Sequence, residues 1–279
     1  MPRPDRPYPA IGVLGVNFSV FPTYLVLGDT HMSGHSKWAT TKRKKAKIDG
    51  ARAKVWNRIN KEITVASRMG GEDPEANPRL RLAITKAKAA NMPAKNIETA
   101  ILKGAGKLEG VNYEELVYEG YGPNGIAIIL ECMTDNKNRT VGELRNLFSK
   151  NGGNLGQDGA VAWMFEQKGK VVVQAPNLTE DEATELAIEA GGEDVQLGDD
   201  AWEIYTAPDD LAAVTKAVEA KGLSVSEAEF TRIPKTPILV ADDVAPKVMR
   251  LLDILDDHDD VQNLYSNVEF SEAAQAAME

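Results

Sequence analysis

Cysteine and histidine are scarce in this chain of 279 residues, which has one cysteine, Cys132, and three histidines. A single cysteine cannot form an intramolecular disulfide, so we expect a reducing compartment and a cytoplasmic location. The shortage of both residue types excludes a zinc centre built from cysteine and histidine. No glycine-rich phosphate loop follows a predicted strand, and we therefore expect neither a metal nor another cofactor.

Long apolar runs are also missing. The most apolar stretch, residues 10–28, is interrupted by Asn17, Ser19 and Pro22. A membrane span needs about 20 apolar residues, so we expect no membrane partner. Four prolines within the first nine residues exclude a regular helix there. The residue pattern that predicts folded structure begins at Met32. We therefore expect residues 1–31 to be an extension outside the folded domains or the product of a start codon assigned too early.

The charge is distributed unevenly along the chain. Residues 32–110 contain 18 Lys and Arg against 7 Asp and Glu, a net charge of +11. Residues 111–279 contain 12 against 33, a net charge of −21, and the whole chain sums to −10. A basic module joined to an acidic body indicates a nucleic-acid partner for the basic module.

The basic module is predicted to be helical. From Lys42 to Ala66 apolar residues recur every three to four positions, and Gly70 and Gly71 end this pattern. Asn77 before Pro78 is a helix start signal, and a third pattern ends at Gly104. We therefore predict a bundle of three helices over residues 32–110.

The basic residues of this bundle are candidates for binding nucleic acid, because a polyanion would relieve their mutual repulsion and release counterions. Trp38 is a candidate for stacking on a base, and His35 for contacting a phosphate. The alternative is a solvated basic face with Trp38 packed on the bundle. The candidates are His35, Lys37, Trp38, Lys42, Arg43, Lys44, Lys45, Lys47, Arg52, Lys54, Arg58, Lys61, Arg79 and Arg81.

The acidic body is predicted to be α+β. Strands at 113–121 and 126–133 flank a turn, Gly122-Pro123-Asn124-Gly125, and strand 160–166 follows a helix opened by a Thr140–Glu143 capping box. Residues 169–233 have the order βαββαβ of a ferredoxin-like unit. Because a helix and a strand at 261–270 follow it, we predict that this unit is inserted into a discontinuous domain formed by residues 111–168 and 234–279.

Three features of the acidic body are candidate sites. The polar segment Asn136–Arg139 near a helix start adds Lys137 and Arg139 as anion-binding candidates, with a capped turn as the alternative. Clustered carboxylates can hold a divalent cation or act in catalysis, but those between Asp253 and Asp260 lie at the predicted C-terminal end of a helix, which disfavours negative charge, and are most simply a solvated helix end. Cys132 lies in an apolar strand and is expected to be inert. We expect no catalytic residue, no metal ligand and no enzyme activity.

Several motifs in order along the chain resemble the YebC/PmpR-type family, which includes the mitochondrial translational activator of cytochrome c oxidase. The resemblance covers Met32 to about Phe270 and leaves out residues 1–31. The matching motifs are Met32–Trp38, Lys42–Lys44, Glu62–Ala66, Asn77–Arg81, Ala90–Pro93, Tyr118–Pro123, Thr134–Thr140 and Asp260–Gln262.

The resemblance implies an α+β protein of three lobes without catalytic activity: a helical bundle, an α+β domain and a ferredoxin-like domain inserted into it. It implies a DNA-binding transcriptional regulator. The alternative is a ribosome-associated translation factor that helps with difficult stretches such as consecutive prolines. DNA, ribosomal RNA or the ribosome is thus the expected partner, and the chain is expected to be a monomer or a weak dimer.

Overall fold

The structure is a computed structural model that describes residues 50–175, 177–198 and 201–276. Three helices come first: α1 (Gly50–Gly70), α2 (Pro78–Ala89) and α3 (Ala94–Gly104). The predicted start of the first helix at Lys42 lies outside the described residues. The predicted start of the second is confirmed, because Asn77 Oδ1 accepts a hydrogen bond of 3.1 Å from the Leu80 amide and Pro78 follows it.

The three helices pack around a shared apolar core that includes Ile63, Leu80 and Ala100. Helices α1 and α3 approach so closely that a Cβ on Gly104 would lie 2.3 Å from the Thr64 carbonyl oxygen. Trp56 Nε1 at the beginning of α1 donates to the Ala90 carbonyl just after α2, at 2.9 Å. Since α3 begins four residues later, the start of α1, the end of α2 and the start of α3 lie at one end of the bundle.

The second lobe is a four-stranded antiparallel sheet in the order β3-β1-β2-β9. Its strands are β1 (Glu114–Tyr121), β2 (Ala127–Thr134), β3 (Asn154–Leu155) and β9 (Val261–Ser266). The predicted turn joins β1 to β2, with Asn124 and Gly125 at positive φ.

Two helices cover one face of this sheet, α4 (Lys137–Lys150) and α7 (Ala245–Asp256). Their apolar sides bury Phe148 and Leu251 against Leu130 of β2. A short parallel pair, β8 (Ile238–Val240) with β10 (Val268–Phe270), and the terminal helix α8 (Glu272–Ala276) complete the lobe. Burial of these side chains is what holds the helices on the sheet.

The third lobe lies between β3 and β8 in sequence and confirms the predicted βαββαβ order. Its sheet has the order β5-β6-β4-β7, and its apolar core joins that sheet to α5 and α6. Because β2 pairs with β9 from beyond the inserted unit, the second lobe is discontinuous, as predicted. The boundaries at residues 31, 110, 168 and 233 stay a prediction. The elements are β4 (Phe165–Gln174), α5 (Glu180–Ala190), β5 (Asp194–Leu197), β6 (Trp202–Thr206), α6 (Leu211–Ala220) and β7 (Ser224–Pro234).

Two predicted details of the second lobe are wrong. Helix α4 begins at Lys137 with Asn136 as its cap, and Thr140 is a buried residue within the helix. The predicted strand over residues 160–166 is a turn at Ala162–Met164 followed by β4. The Glu119 carboxylate causes this turn, because it accepts hydrogen bonds of 2.7 and 2.8 Å from the Val161 and Ala162 amides.

The predicted final strand over 261–270 is divided at Asn267. The Asn267 side-chain oxygen accepts the Ala127 amide at 2.7 Å, and the chain then leaves the large sheet to pair with β8. Among the described residues, no helix has both the length and the apolar character needed to cross a membrane.

Candidate nucleic-acid interface

Half of the predicted binding residues precede Gly50 and lie outside the described part of the chain. They stay a prediction from sequence. These residues are His35, Lys37, Trp38, Lys42, Arg43, Lys44, Lys45 and Lys47.

Three other candidates form one face of α1 and contact the acidic segment after α7. Lys54, Arg58 and Lys61 are spaced at four and three residues, so they line up along the helix. Lys54 Nζ lies 3.2 Å from Asp257 Oδ1, and Arg58 Nη2 lies 3.2 Å from Asp256 Oδ1. The charge on this face of α1 is therefore offset by carboxylates within the chain.

Lys61 makes the most buried of these contacts. Its Nζ lies 2.7 Å from Asp260 Oδ1 and donates to the carbonyl oxygens of Met133 and Asp259 at 3.0 Å each. Arg139 and Thr140 donate to Asp260 Oδ2 at 2.9 and 2.7 Å. Burial alone would raise the pKa of Asp260, but these hydrogen bonds hold it well below its usual range.

The expectation of a solvated helix end at residues 253–260 is thus wrong for Asp260, which is 3% exposed. The carboxylates of this segment form ion pairs with the basic face of α1. These ion pairs hold the bundle against the second lobe. Sequence spacing alone gave no signal for this, because the partners are about 200 residues apart in the chain.

Arg79 is also engaged within the molecule. Its guanidinium lies 2.7 Å from the carboxylates of both Glu62 and Glu115. Burial lowers the pKa of Arg79, but hydrogen bonds from its guanidinium to the two carboxylates outweigh that effect and raise it. Arg81 is half-buried and has no ion pair among the described residues. Neither arginine is freely exposed for contact with a long polyanion.

Three exposed cations of the bundle lie together at one end, whereas Arg68 and Lys103, which are also exposed and have no ion pair in the described chain, lie near the other end. Arg52 lies at the start of α1, Lys88 at the end of α2 and Lys95 at the start of α3, and all three are exposed. Within the described ranges none of them has an ion pair. We call Arg52, Lys88 and Lys95 the basic end of the bundle. Of these, the sequence-based candidates included only Arg52.

A physical signal for this grouping was present in the sequence. Consecutive helices joined by short connections run in opposite directions, so the end of α2 and the start of α3 lie at the same end of the bundle, as does the start of α1. The basic segment 42–47 precedes α1 in sequence, and Arg52 is the member of the basic end that follows it along the chain.

The predicted anion-binding segment Asn136–Arg139 contains one exposed cation without an ion pair. Lys137 is exposed, and no carboxylate of the described chain pairs with it. Arg139 lies 2.8 Å from Asp135 and 2.9 Å from Asp260. Arg139 therefore links the start of α4 to the end of the connection between α7 and β9.

The single cysteine, Cys132, lies in β2 of the second lobe. Burial in the core raises the pKa of the Cys132 thiol to about 12, and Asp260 adds to the effect. Within the described residues, no group of three or more His, Cys, Asp and Glu side chains is arranged to hold a metal ion.

The fold and the charge distribution define a class of protein: a basic helical bundle joined to an α+β body that carries an inserted ferredoxin-like unit. Residues 36–107 match the family model for the TACO1/YebC protein N-terminal domain, and residues 113–268 match the model for the TACO1/YebC second and third domain. The chain belongs to the TACO1/YebC family, which confirms the resemblance seen in its motifs.

Related proteins are similar over nearly their whole length. A "probable transcriptional regulatory protein" of Persephonella marina is 54% identical over 86% of this chain and 97% of its own. A protein of the same name from Pelotomaculum thermopropionicum is 52% identical over 86% of this chain and 100% of its own. The crystal structure of a conserved hypothetical protein from Aquifex aeolicus is 47% identical, with a TM-score of 0.77 over 85% of this chain and 98% of its own.

Proposed function

We propose that this protein is a non-enzymatic, nucleic-acid-binding regulator of gene expression, and that it acts on DNA as a transcriptional regulator. The basic end of the bundle, together with the basic segment 37–47, makes the main contact with the phosphate backbone.

The observation that carries this proposal is that Arg52, Lys88 and Lys95 lie exposed together at one end of the bundle without ion pairs among the described residues, whereas the cations on one face of α1 are paired. Lys54, Arg58 and Lys61 are neutralised by carboxylates of the second lobe. In the part of the chain that the structure describes, no carboxylate pairs with the basic end, although the rest of the chain is strongly acidic. Three exposed cations at one end of a bundle repel one another and gain free energy when phosphates replace their counterions.

Two further findings support the proposal. The relatives from Persephonella marina and Pelotomaculum thermopropionicum both have the name of a transcriptional regulator. The groups best suited to chemistry are otherwise occupied, since Asp256 and Asp260 are ion-paired and the Cys132 thiol is buried. A side chain held in this way is a poor nucleophile or general base.

A second candidate function is a ribosome-associated translation factor. The specific observation in its favour is that exposed cations without ion pairs among the described residues also occur outside the bundle, as Lys137, Arg145 and Lys150 do on α4. A surface of this kind suits an irregular folded RNA as well as it suits one groove of a duplex.

One experiment separates the two functions. The full chain is sedimented with a cell lysate at physiological salt, before and after a nuclease treatment that spares ribosomes. In parallel, its binding to a promoter-containing DNA fragment is measured in an excess of competitor DNA. The variant Arg52→Gln/Lys88→Gln/Lys95→Gln serves as a control for contact through the basic end.

The DNA proposal predicts that the chain stays at the top of the gradient and retains the promoter fragment, and that the triple variant loses that fragment. Sedimentation with ribosomal particles after nuclease treatment would replace it with the translation function. If the wild-type chain binds neither target, both functions are overturned.

A further inference from the structure

The outer side of α4 has a composition that the folded chain does not explain. Its exposed residues are Asn138, Gly142, Arg145, Asn146 and Ser149, which we call the α4 outer face. Their spacing of three and four residues aligns them along one side of the helix. The opposite side is buried in the second lobe through Thr140, Leu144 and Phe148.

Gly142 is the most unusual member of this face. It lies in the middle of a regular α-helix, and its φ is not in the left-handed region that favours glycine. A Cβ built on Gly142 would meet no atom within 4 Å. Glycine in such a position destabilises a helix relative to alanine, so neither backbone conformation nor packing among the described residues accounts for it.

The charge around Gly142 differs from that of the acidic body. Residues 136–151 contain Lys137, Arg139, Arg145 and Lys150 against one acidic residue, Glu143. Glu143 is paired with His258 at 3.0 Å, and Arg139 is paired with Asp135 and Asp260. Lys137, Arg145 and Lys150 are exposed and have no ion pair among the described residues. This helix is therefore a basic strip on an acidic lobe.

The chemistry of the face indicates the kind of partner. It has no apolar side chain, unlike the cores of protein–protein interfaces. Arginine, lysine, asparagine and serine are the residues that contact phosphate and sugar groups in nucleic-acid complexes. A glycine among them lets a partner backbone approach the helix closely, as glycines do at other phosphate contacts.

We infer that the α4 outer face is a second nucleic-acid contact, which binds a phosphodiester backbone at Gly142 through Asn138, Arg145 and Asn146. The inference rests on the proposed function and adds a surface on a different lobe from the basic end. The backbone of DNA and that of RNA share this chemistry, so the test includes both.

The test uses the full chain and measures affinity at several salt concentrations for a short duplex DNA and for purified ribosomal RNA. The variants are Gly142→Ala, Gly142→Gln and Arg145→Gln. Matched controls are Ala213→Gln, at an exposed position of α6, and Arg250→Gln, at an exposed position of α7. Melting temperature is recorded for each protein.

Gly142→Ala gives the most diagnostic result, because it separates stability from binding. The added methyl group favours the helix and should raise the melting temperature by about 2 °C. It should nevertheless weaken binding, since the partner backbone can no longer approach. Gly142→Gln should weaken binding by roughly ten-fold, a penalty like that of overpacking a close contact.

Arg145→Gln should weaken binding about three-fold and reduce the slope of log K against log salt by about 0.9 on duplex DNA or about 0.7 on single strands. The two controls should bind like the wild-type chain. An effect confined to DNA or to RNA identifies the source of the phosphates.

Two results contradict the inference in distinguishable ways. If Gly142→Gln and Arg145→Gln bind like the wild-type chain while Arg52→Gln/Lys88→Gln/Lys95→Gln binds weakly, the α4 contact is overturned and the proposed function stands. If the wild-type chain binds neither DNA nor ribosomal RNA, both proposals are overturned together.

Discussion

Lys61 Nζ lies 2.7 Å from Asp260 Oδ1, although the two residues are 199 positions apart in the sequence. Both side chains are less than a tenth exposed, and Lys61 also donates to the Met133 and Asp259 carbonyls. A buried lysine is costly unless every donor is satisfied, and these three acceptors satisfy it. The pair therefore fixes α1 of the bundle against the second lobe.

Removal of the Lys61 charge should destabilise the protein strongly. Lys61→Met leaves Asp260 buried beside Arg139 with one donor fewer, and we expect the free energy of unfolding to fall by about 3 kcal/mol. Lys54→Met is the matched control on the same face of α1, because the Lys54 side chain is 41% exposed in its ion pair. We expect that control to cost less than about 1 kcal/mol. Urea denaturation measures both, and equal losses would refute the assignment.

The stabilisation from Asp260 should depend on pH. Hydrogen bonds from Lys61, Thr140 and Arg139 lower the pKa of Asp260 in the folded chain despite its burial, whereas an unfolded aspartate titrates near pH 3.9. A lowered folded-state pKa stabilises the protein above the unfolded value, and this contribution is lost as the pH falls below about 4.

Asp260→Asn tests this dependence. Its deficit in unfolding free energy relative to the wild-type chain should be greatest near neutral pH and should shrink below about pH 4. Asp209→Asn, at an exposed carboxylate outside the ion pairs, is the control and should show no such trend. A deficit for Asp260→Asn that stays constant down to pH 3 would contradict the network, because protonation of Asp260 would then change nothing.

Cys132 should be protected from thiol reagents in the native protein. Burial raises the pKa of its thiol to about 12, so almost no thiolate is present at pH 8. A thiol-specific chromogenic reagent should react at least about a thousandfold more slowly with the native chain than with the denatured chain. Since Cys132 is the single cysteine, the signal is unambiguous. Fast reaction of the native chain would show that the strand is open to solvent.

Local signals were sufficient to predict much of the fold. The cap at Asn77, the turn at Asn124 and the βαββαβ order all depend on neighbouring residues, and the structure confirms each. The predictions that failed depend on distant partners. Thr140 has the sequence context of a cap, but its hydroxyl bonds to Asp260, and residues 161–162 turn toward Glu119.

Dependence on distant partners also explains why the sequence alone did not define the candidate interface. Composition identified a basic module, but it treated Lys54, Arg58 and Arg52 alike. Only the fold separates them, since the first two pair with Asp257 and Asp256 at the end of α7, whereas Arg52 has no ion pair among the described residues. Lys88 and Lys95 are isolated in the sequence and become a group with Arg52 because of the way the helices connect.

Binding through the basic end is tested most directly by the salt dependence of nucleic-acid affinity, measured for the full chain and two variants. One variant, Arg52→Gln/Lys88→Gln/Lys95→Gln, removes the basic end; the other, Lys54→Gln/Arg58→Gln, removes cations that are already paired within the chain. We expect the slope of log K against log salt to fall by about 2 to 3 in the first variant and to stay nearly unchanged in the second. An unchanged slope in the first variant, or an equal loss in both, would contradict binding through the basic end.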